Sequence, residues 1–243
     1  MSWKKRWYVA HRWIALIVGL QLLAWSIGGF MFSILDLDDV HGDLERREQP
    51  AKPVRVDRIA VTAAEAVEAA VAEKLISGAP AQLRLRERFG RTVYELLDQD
   101  GQSSGAVDAA TGEVLARITE QEAREAALAD FEPQVEIASL KLLEGEPPLE
   151  FRGGTMPVYQ IIMDHPKETH LYISPITGEV LKRRNQPWRL FDFFWMLHIM
   201  DYSERDDFNH PLLTGASVLA ILTSVSGLVL WTWRIPRRRR KNA

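Results

Sequence analysis

The 243-residue chain contains no cysteine. This excludes disulfides, cysteine-held iron–sulfur clusters, thiolate zinc sites and haem attached covalently through a C-x-x-C-H motif. Charge is missing from two long stretches, Ile14 to Leu35 and Pro211 to Trp233, of 22 and 23 residues. Acidic residues are missing from both ends, since all 33 lie between Asp36 and Asp207. Tryptophan is missing from the middle: of eight, none falls between Trp25 and Trp188. No G-x-S-x-G, H-E-x-x-H or paired-carboxylate constellation stands in a motif context, so an independent hydrolase is the least expected class.

What is present follows from those gaps. At 1.5 Å per residue about 20 apolar residues cross a bilayer core, so each uncharged run is long enough to span. Lys4, Lys5, Arg6 and Arg12 flank the first run, and Arg234, Arg237, Arg238, Arg239, Arg240 and Lys241 follow the second. The positive-inside rule therefore predicts both termini on the cytoplasmic side. The segment between holds 20 basic against 33 acidic residues, a net charge of −13, and is expected outside. The first run exceeds a signal-peptide core, and Ser26-Ile27-Gly28-Gly29 is a poor cleavage site, so an uncleaved anchor is expected. The basic C-terminal tail satisfies this topology and can attract anionic lipid, and no nucleic-acid partner is expected.

The expected domains are a cytoplasmic tail (1–12), a transmembrane helix (13–35), an extracytoplasmic domain (36–186), an interfacial helix and loop (187–210), a second transmembrane helix (211–233) and a basic tail (234–243). Trp188 and Trp195 suit an interfacial stretch. Within the outer domain, Val40 to Asp57 reads as a charged linker. Thr62 to Leu75 reads as a helix opened by a Thr62/Glu65 capping box. Short strands are expected at 81–86, 92–97, 105–108 and 113–118. Val107-Asp108-Ala109-Ala110-Thr111-Gly112-Glu113-Val114-Leu115 recurs 66 residues later as Ile173-Ser174-Pro175-Ile176-Thr177-Gly178-Glu179-Val180-Leu181. Each copy reads as a strand, a tight turn whose glycine takes positive φ, and a returning strand. The second copy predicts a helix over 120–128 and strands at 135–142, 157–164, 170–174 and 179–182. The fold class is thus membrane α+β: two transmembrane helices flanking two helix-plus-antiparallel-sheet repeats, about 58–118 and 119–183.

The doubled T-G-E-V-L hairpin, its preceding helix and the flanking spans resemble the PepSY-associated transmembrane proteins over nearly the whole chain. His11-Arg12-Trp13-Ile14-Ala15-Leu16 is similar to that family's H-R-W-x-G-L opening, with Ala15 replacing the usual Gly. His198 in Trp195-Met196-Leu197-His198 resembles its second histidine. Gly227 to Arg234 matches its closing G-L-x-L-W-x-W-R pattern. Larger members resemble ferric-siderophore reductases with four spans and two haems in one chain. The resemblance implies that a two-span chain reaches the same arrangement through a homodimer or another partner.

Six histidines are present, and four lie near the spans: His11, His198, His210 and His41. A titratable residue beside a span is costly and marks function, which singles out His11. Beside Arg12 it also reads as an interfacial residue. His198 follows Phe191, Phe194 and Trp195 at helical spacing, which suits either a haem edge or an ordinary interfacial helix. His210, just before Pro211, reads as a ligand or as a loop residue, and His41 is the weakest of the four. Neutral imidazole is a normal axial ligand of b-type haem, which needs no cysteine. By bilayer thickness His11 lies about 30 Å from the other three, so no single haem joins them. Small residues Ala15 and Gly19, with Ser217, Ala220, Ser224 and Gly227, offer a close-packing face for dimerisation or for packing within one chain. His165 and His170, near Asp164 and Glu168, read as a solvated turn rather than a metal site.

Two functions are consistent with this reading. One is an inner-membrane, b-type haem protein delivering electrons to an extracytoplasmic acceptor, in iron or siderophore reduction, as a component of a membrane reductase. The other is a non-enzymatic PepSY module that binds or regulates a periplasmic protease, peptide or transporter.

Overall fold

The computed structural model describes residues 3–48, 53–115 and 117–234; the basic stretch Arg237 to Lys241 lies outside them. The chain forms two compact units, Met1–Asp36 with Arg189–Ala243, and Leu37–Trp188.

The first unit is helical. Helix α1 runs Trp3–Ile34 and α6 runs Pro211–Arg234. Their apolar segments Lys5–Ile34 and Pro211–Trp233 are each long enough to cross a membrane. The uncharged run from Ile14 therefore marks apolar surface, not the start of the helix, which continues a further three turns towards Trp3. The two helices lie antiparallel. Trp3 approaches Trp233 at 6.3 Å between ring centroids, and His11 meets Ser226. The shielded residues of α1 recur as His11, Ala15, Val18, Gln21, Trp25, Gly28 and Phe32, the spacing of one helical face. Leu213, Ala216, Ser217, Ala220, Thr223, Ser226, Gly227 and Leu230 form the facing stripe of α6. Gly19 and Ser224 point away from this seam and are exposed. Most of the leucine, isoleucine and valine surface of both helices is also exposed, as expected of segments solvated by lipid.

The second unit repeats one plan. Helix α2 (Leu37–His41) is followed by α3 (Ala63–Ala72) and a four-stranded antiparallel meander, β1 (Gln82–Arg88), β2 (Arg91–Leu97), β3 (Ser103–Asp108) and β4 (Val114–Leu115). Helix α4 (Glu120–Asp130) precedes a second meander, β5 (Ile137–Leu143), β6 (Val158–Met163), β7 (His170–Ile173) and β8 (Val180–Arg184). Helix α5 (Gln186–Ile199) then leads out of this unit.

The two modules agree in detail. Thr62 with Glu65, and Thr119 with Glu122, close full capping boxes at the starts of α3 and α4. Ala66 and Ala70 seat α3 on Tyr94, Leu96 and Val107, while Ala123 and Ala127 seat α4 on Tyr159, Ile161 and Leu171. Small residues on the buried helix face let each helix lie close to its sheet. The Tyr94 hydroxyl donates to the Val61 carbonyl (2.9 Å) and Tyr159 to that of Ile118 (3.1 Å). In the repeated hairpins, Asp108 Oδ1 accepts from the amides of Ala110 and Thr111, and Ser174 Oγ from those of Ile176 and Thr177. Gly112 and Gly178 follow at φ 76° and 74°.

The segment read as a linker is partly docked. Glu45 is buried, accepts from Thr169 Oγ1 at 2.6 Å and lies 3.1 Å from Lys167 Nζ, which also holds Asp39. Its charge pattern resembles a solvated linker because the partner lysine lies over 120 residues away.

The hairpin glycines differ in their surroundings. A Cβ on Gly178 would sit 2.6 Å from the Phe89 ring, whereas one on Gly112 would meet Val61 at 3.5 Å. Both Gly→Ala variants lose about 1–2 kcal/mol to the left-handed backbone. Gly178→Ala should lose a further 1–3 kcal/mol or so to overpacking. Denaturant unfolding of the two variants side by side checks this, and equal losses would contradict the Phe89 contact.

Candidate functional site

The seam of the helical unit carries the polar groups. His11 Nδ1 lies 2.7 Å from Ser226 Oγ, and the Ser226 hydroxyl donates to the Thr223 carbonyl at 2.9 Å. Where that single hydroxyl proton goes to Thr223 O, the serine accepts from His11, so that Nδ1 carries the imidazole hydrogen and Nε2 the lone pair; a proton turned towards His11 gives the opposite tautomer. Gly227 leaves Nε2 uncovered: a Cβ there would lie 3.9 Å from it. His11 and Gly227 also line a groove of about 1280 Å³, together with Leu230, Trp231, Lys5 and Arg12.

The other histidine of the seam lies at a different height. Helix α5 ends against α1 around Gly28, beside Phe194 O and His198 Nδ1. Seventeen residues separate His11 from Gly28, roughly 25 Å of helix rise. His198 sits among aromatic rings, with Phe32 at 5.8 Å edge-on and Trp25 at 6.1 Å. Its Nδ1 is buried without a hydrogen-bond partner. Such an atom is uncommon in a native fold and calls for a reason.

The C-terminal carbonyls of α5, by contrast, are capped one after another. Gln21 Nε2 donates to Leu197 O, Trp25 Nε1 to His198 O at 2.9 Å, and His210 Nε2 to Ile199 O at 2.8 Å. A helix end leaves its last carbonyls unpaired, and in an apolar surrounding each costs several kcal/mol if it stays so. His210 Nδ1 in turn accepts from the Leu213 amide at 3.4 Å, at the start of α6. Both His210 nitrogens are thus engaged in tying the end of α5 to the start of α6. The intervening loop is fixed by a buried Asp192–Arg205 pair and by Trp195 Nε1 donating to Arg205 O. Asp201 accepts from the amides of Ser203, Glu204, Asp206 and Asp207.

The remaining histidines belong to the other unit. His41 ends α2 and is exposed. His165 meets Phe131 edge-on at 5.4 Å. His170 Nδ1 lies 2.8 Å from Glu150, which also accepts from Tyr172, whose hydroxyl is pushed up to about 12, first by burial. Among the described residues no three histidine or carboxylate side chains converge as a metal site.

A family model described as the PepSY-associated TM region matches residues 7–243. The chain belongs to the PepSY-associated transmembrane family. It is accordingly a membrane protein whose two apolar helices contact the bilayer. Neither the curated proteins nor the solved structures contain a match to it.

The seam residues of this PepSY-associated chain can be tested against a haem. At His11 they fit: Ser226 engages Nδ1 and leaves Nε2 for a metal, a glycine rather than a side chain lies beside Nε2, and Lys5 and Arg12 supply cations for carboxylates. Hydrogen bonding at the non-ligating nitrogen is the usual way an imidazole ligand is oriented. At His198 the fit is narrower, because a ring closed off at Nδ1 could offer a metal only Nε2. Ser226, Gln21 and Trp25 did not stand out in the sequence. Their one signal was the presence of polar or amphipathic side chains inside uncharged runs.

The double use of His210 makes a direct prediction. His210→Ala leaves Ile199 O and the Leu213 amide unpartnered and should cost about 1–3 kcal/mol. His210→Asn, which keeps an N-cap acceptor, should recover part of it. Thermal unfolding in detergent measures both; an unchanged midpoint for His210→Ala would contradict the capping role.

Proposed function

We propose that this chain is a b-type haem protein of the bacterial inner membrane that carries electrons across the bilayer to an extracytoplasmic acceptor, in iron or siderophore reduction. The observation that carries the reading is His11, whose Nδ1 is engaged by Ser226, whose Nε2 lies beside Gly227, and which lines the groove with Lys5 and Arg12. A haem so held supplies a one-electron carrier between ferric and ferrous iron.

The chain's own residues do the remaining work. Ser226 fixes the His11 ring, and Lys5 and Arg12 offer charge to haem carboxylates. Trp25, Phe32 and Phe191 exclude water around His198. In this reading both termini are cytoplasmic and residues 36–186 form a periplasmic domain of two PepSY-like repeats. That topology is supported by the acid-free basic ends and the −13 charge between them.

Separation by roughly 25 Å of helix rise means that His11 and His198 serve different haems. Each site would then draw a further ligand from outside this chain. In a homodimer with its twofold along the membrane normal, the two His11 side chains share one height and the two His198 side chains another. Such a pair of chains holds two haems, about one per chain.

The test is an oxidised and dithionite-reduced absorption spectrum of protein purified in detergent from haem-replete cells, beside His11→Ala and His198→Ala. Wild type should show a reduced α-band, with about half the haem lost in each single variant. A colourless wild type would overturn the reading and favour the protein-binding PepSY module.

A further inference from the structure

Within residues 37–188 the two modules enclose a cleft of about 1070 Å³, bordered by β1, α4 and the turn leading into β8. We propose that this cleft is a binding site for a small oxyanion-bearing molecule, a polycarboxylate or a phosphorylated compound, with Arg88 as its central cation. The site is separate from the membrane histidines and does not rest on the haem reading.

The cleft is rich in arginine although residues 37–188 hold 18 basic against 27 acidic residues. Most of these arginines are already paired. Arg84 and Arg86 approach Glu95, Arg86 also holds Glu179 at 2.8 Å, Arg183 grips Asp130, and Arg47 meets Glu132. Arg88 differs. It is only 6% exposed, its Nη1 is sealed with no partner, and among the described residues it forms no ion pair. The acids nearest in charge are committed elsewhere: Glu95 to Arg86, and Glu122 to the backbone and hydroxyl of Thr119. Burial holds the Arg88 guanidinium below its ordinary pKa, with Arg86 and Arg91 pushing the same way against Glu122 and Glu95.

A buried guanidinium without a counter-ion is costly, and the fold holds this one in place from both sides. Arg88 pairs with Arg91 across a two-residue turn of Phe89 and Gly90, at φ 46° and 80°. Left-handed backbone is unfavourable for phenylalanine and persists where the surroundings enforce it. Here the Phe89 ring is packed against Gly178 and joins the core of the second module. The strained turn thus fixes Arg88 where the two modules meet. A planar guanidinium binds carboxylate or phosphate bidentately. The cleft volume lies at the upper end for small-molecule sites.

The test uses full-length protein in detergent, with thermal unfolding in citrate, in inorganic phosphate and in chloride at matched ionic strength. Wild type should gain several degrees in citrate or in phosphate over chloride, and which of the two acts identifies the oxyanion. Arg88→Met should raise the ligand-free midpoint, because it removes an uncompensated charge, and should abolish the anion response. Arg88→Lys should keep part of the response. The proposal is overturned if neither anion shifts wild type, if Arg88→Met responds like wild type, or if Arg88→Met lowers the ligand-free midpoint. Stabilisation by an acidic peptide alone, with neither small anion acting, also overturns it.

Discussion

The hydrogen-bonded chain His11–Ser226–Thr223 is the interaction on which the membrane unit turns. In lipid, apolar side chains gain nothing by leaving the solvent for a neighbouring helix, so two spans need close packing and polar contacts to hold a fixed register. Small residues on both stripes permit the approach, and His11 with Ser226 sets the register near one end. At the other end the same requirement is met by capping the last carbonyls of α5 with Gln21, Trp25 and His210. Register set in this way has a chemical result. A serine that gives its proton to its own helix takes a hydrogen bond from the histidine, which leaves the opposite nitrogen bare, beside a glycine.

The second unit is governed by repetition. Each module places a capped alanine-faced helix over a four-stranded meander. The two are joined through specific exchanges: Phe89 reaches the second core, the Ile118 amide donates to Pro175 O, and Arg86 holds Glu179. These exchanges join the β1–β2 hairpin of the first module and the segment after β4 to the β7–β8 turn of the second, and leave an arginine-lined cleft between them. Arg88 is the residue that this joining strands without a partner.

Much of this was legible in the sequence wherever the cause is local. The repeated T-G-E-V-L turns were readable because positive φ demands glycine, and the helix at Thr62 because a capping box is a four-residue pattern. The spans were readable from length and absence of charge, and the family from motifs at their ends. Contacts between distant segments were not readable. His210 looks like a ligand candidate until α5 is known to end at Ile199, within reach of its ring. Arg88 sits in Arg84-Leu85-Arg86-Glu87-Arg88, which reads as a solvated strand, and its burial comes from α4 and the second hairpin. Glu45 lay in apparent linker for the same reason.

The account stands most directly on the proton of His11. A nitrogen-15 spectrum of histidine-labelled protein, purified without haem at mildly alkaline pH and assigned with His11→Gln, reads that tautomer. The account predicts a neutral ring with hydrogen on Nδ1 and a bare Nε2, a preference that Ser226→Ala relaxes. Hydrogen found on Nε2, with Nδ1 bare, would contradict it, because the nitrogen facing the groove could then bind no metal.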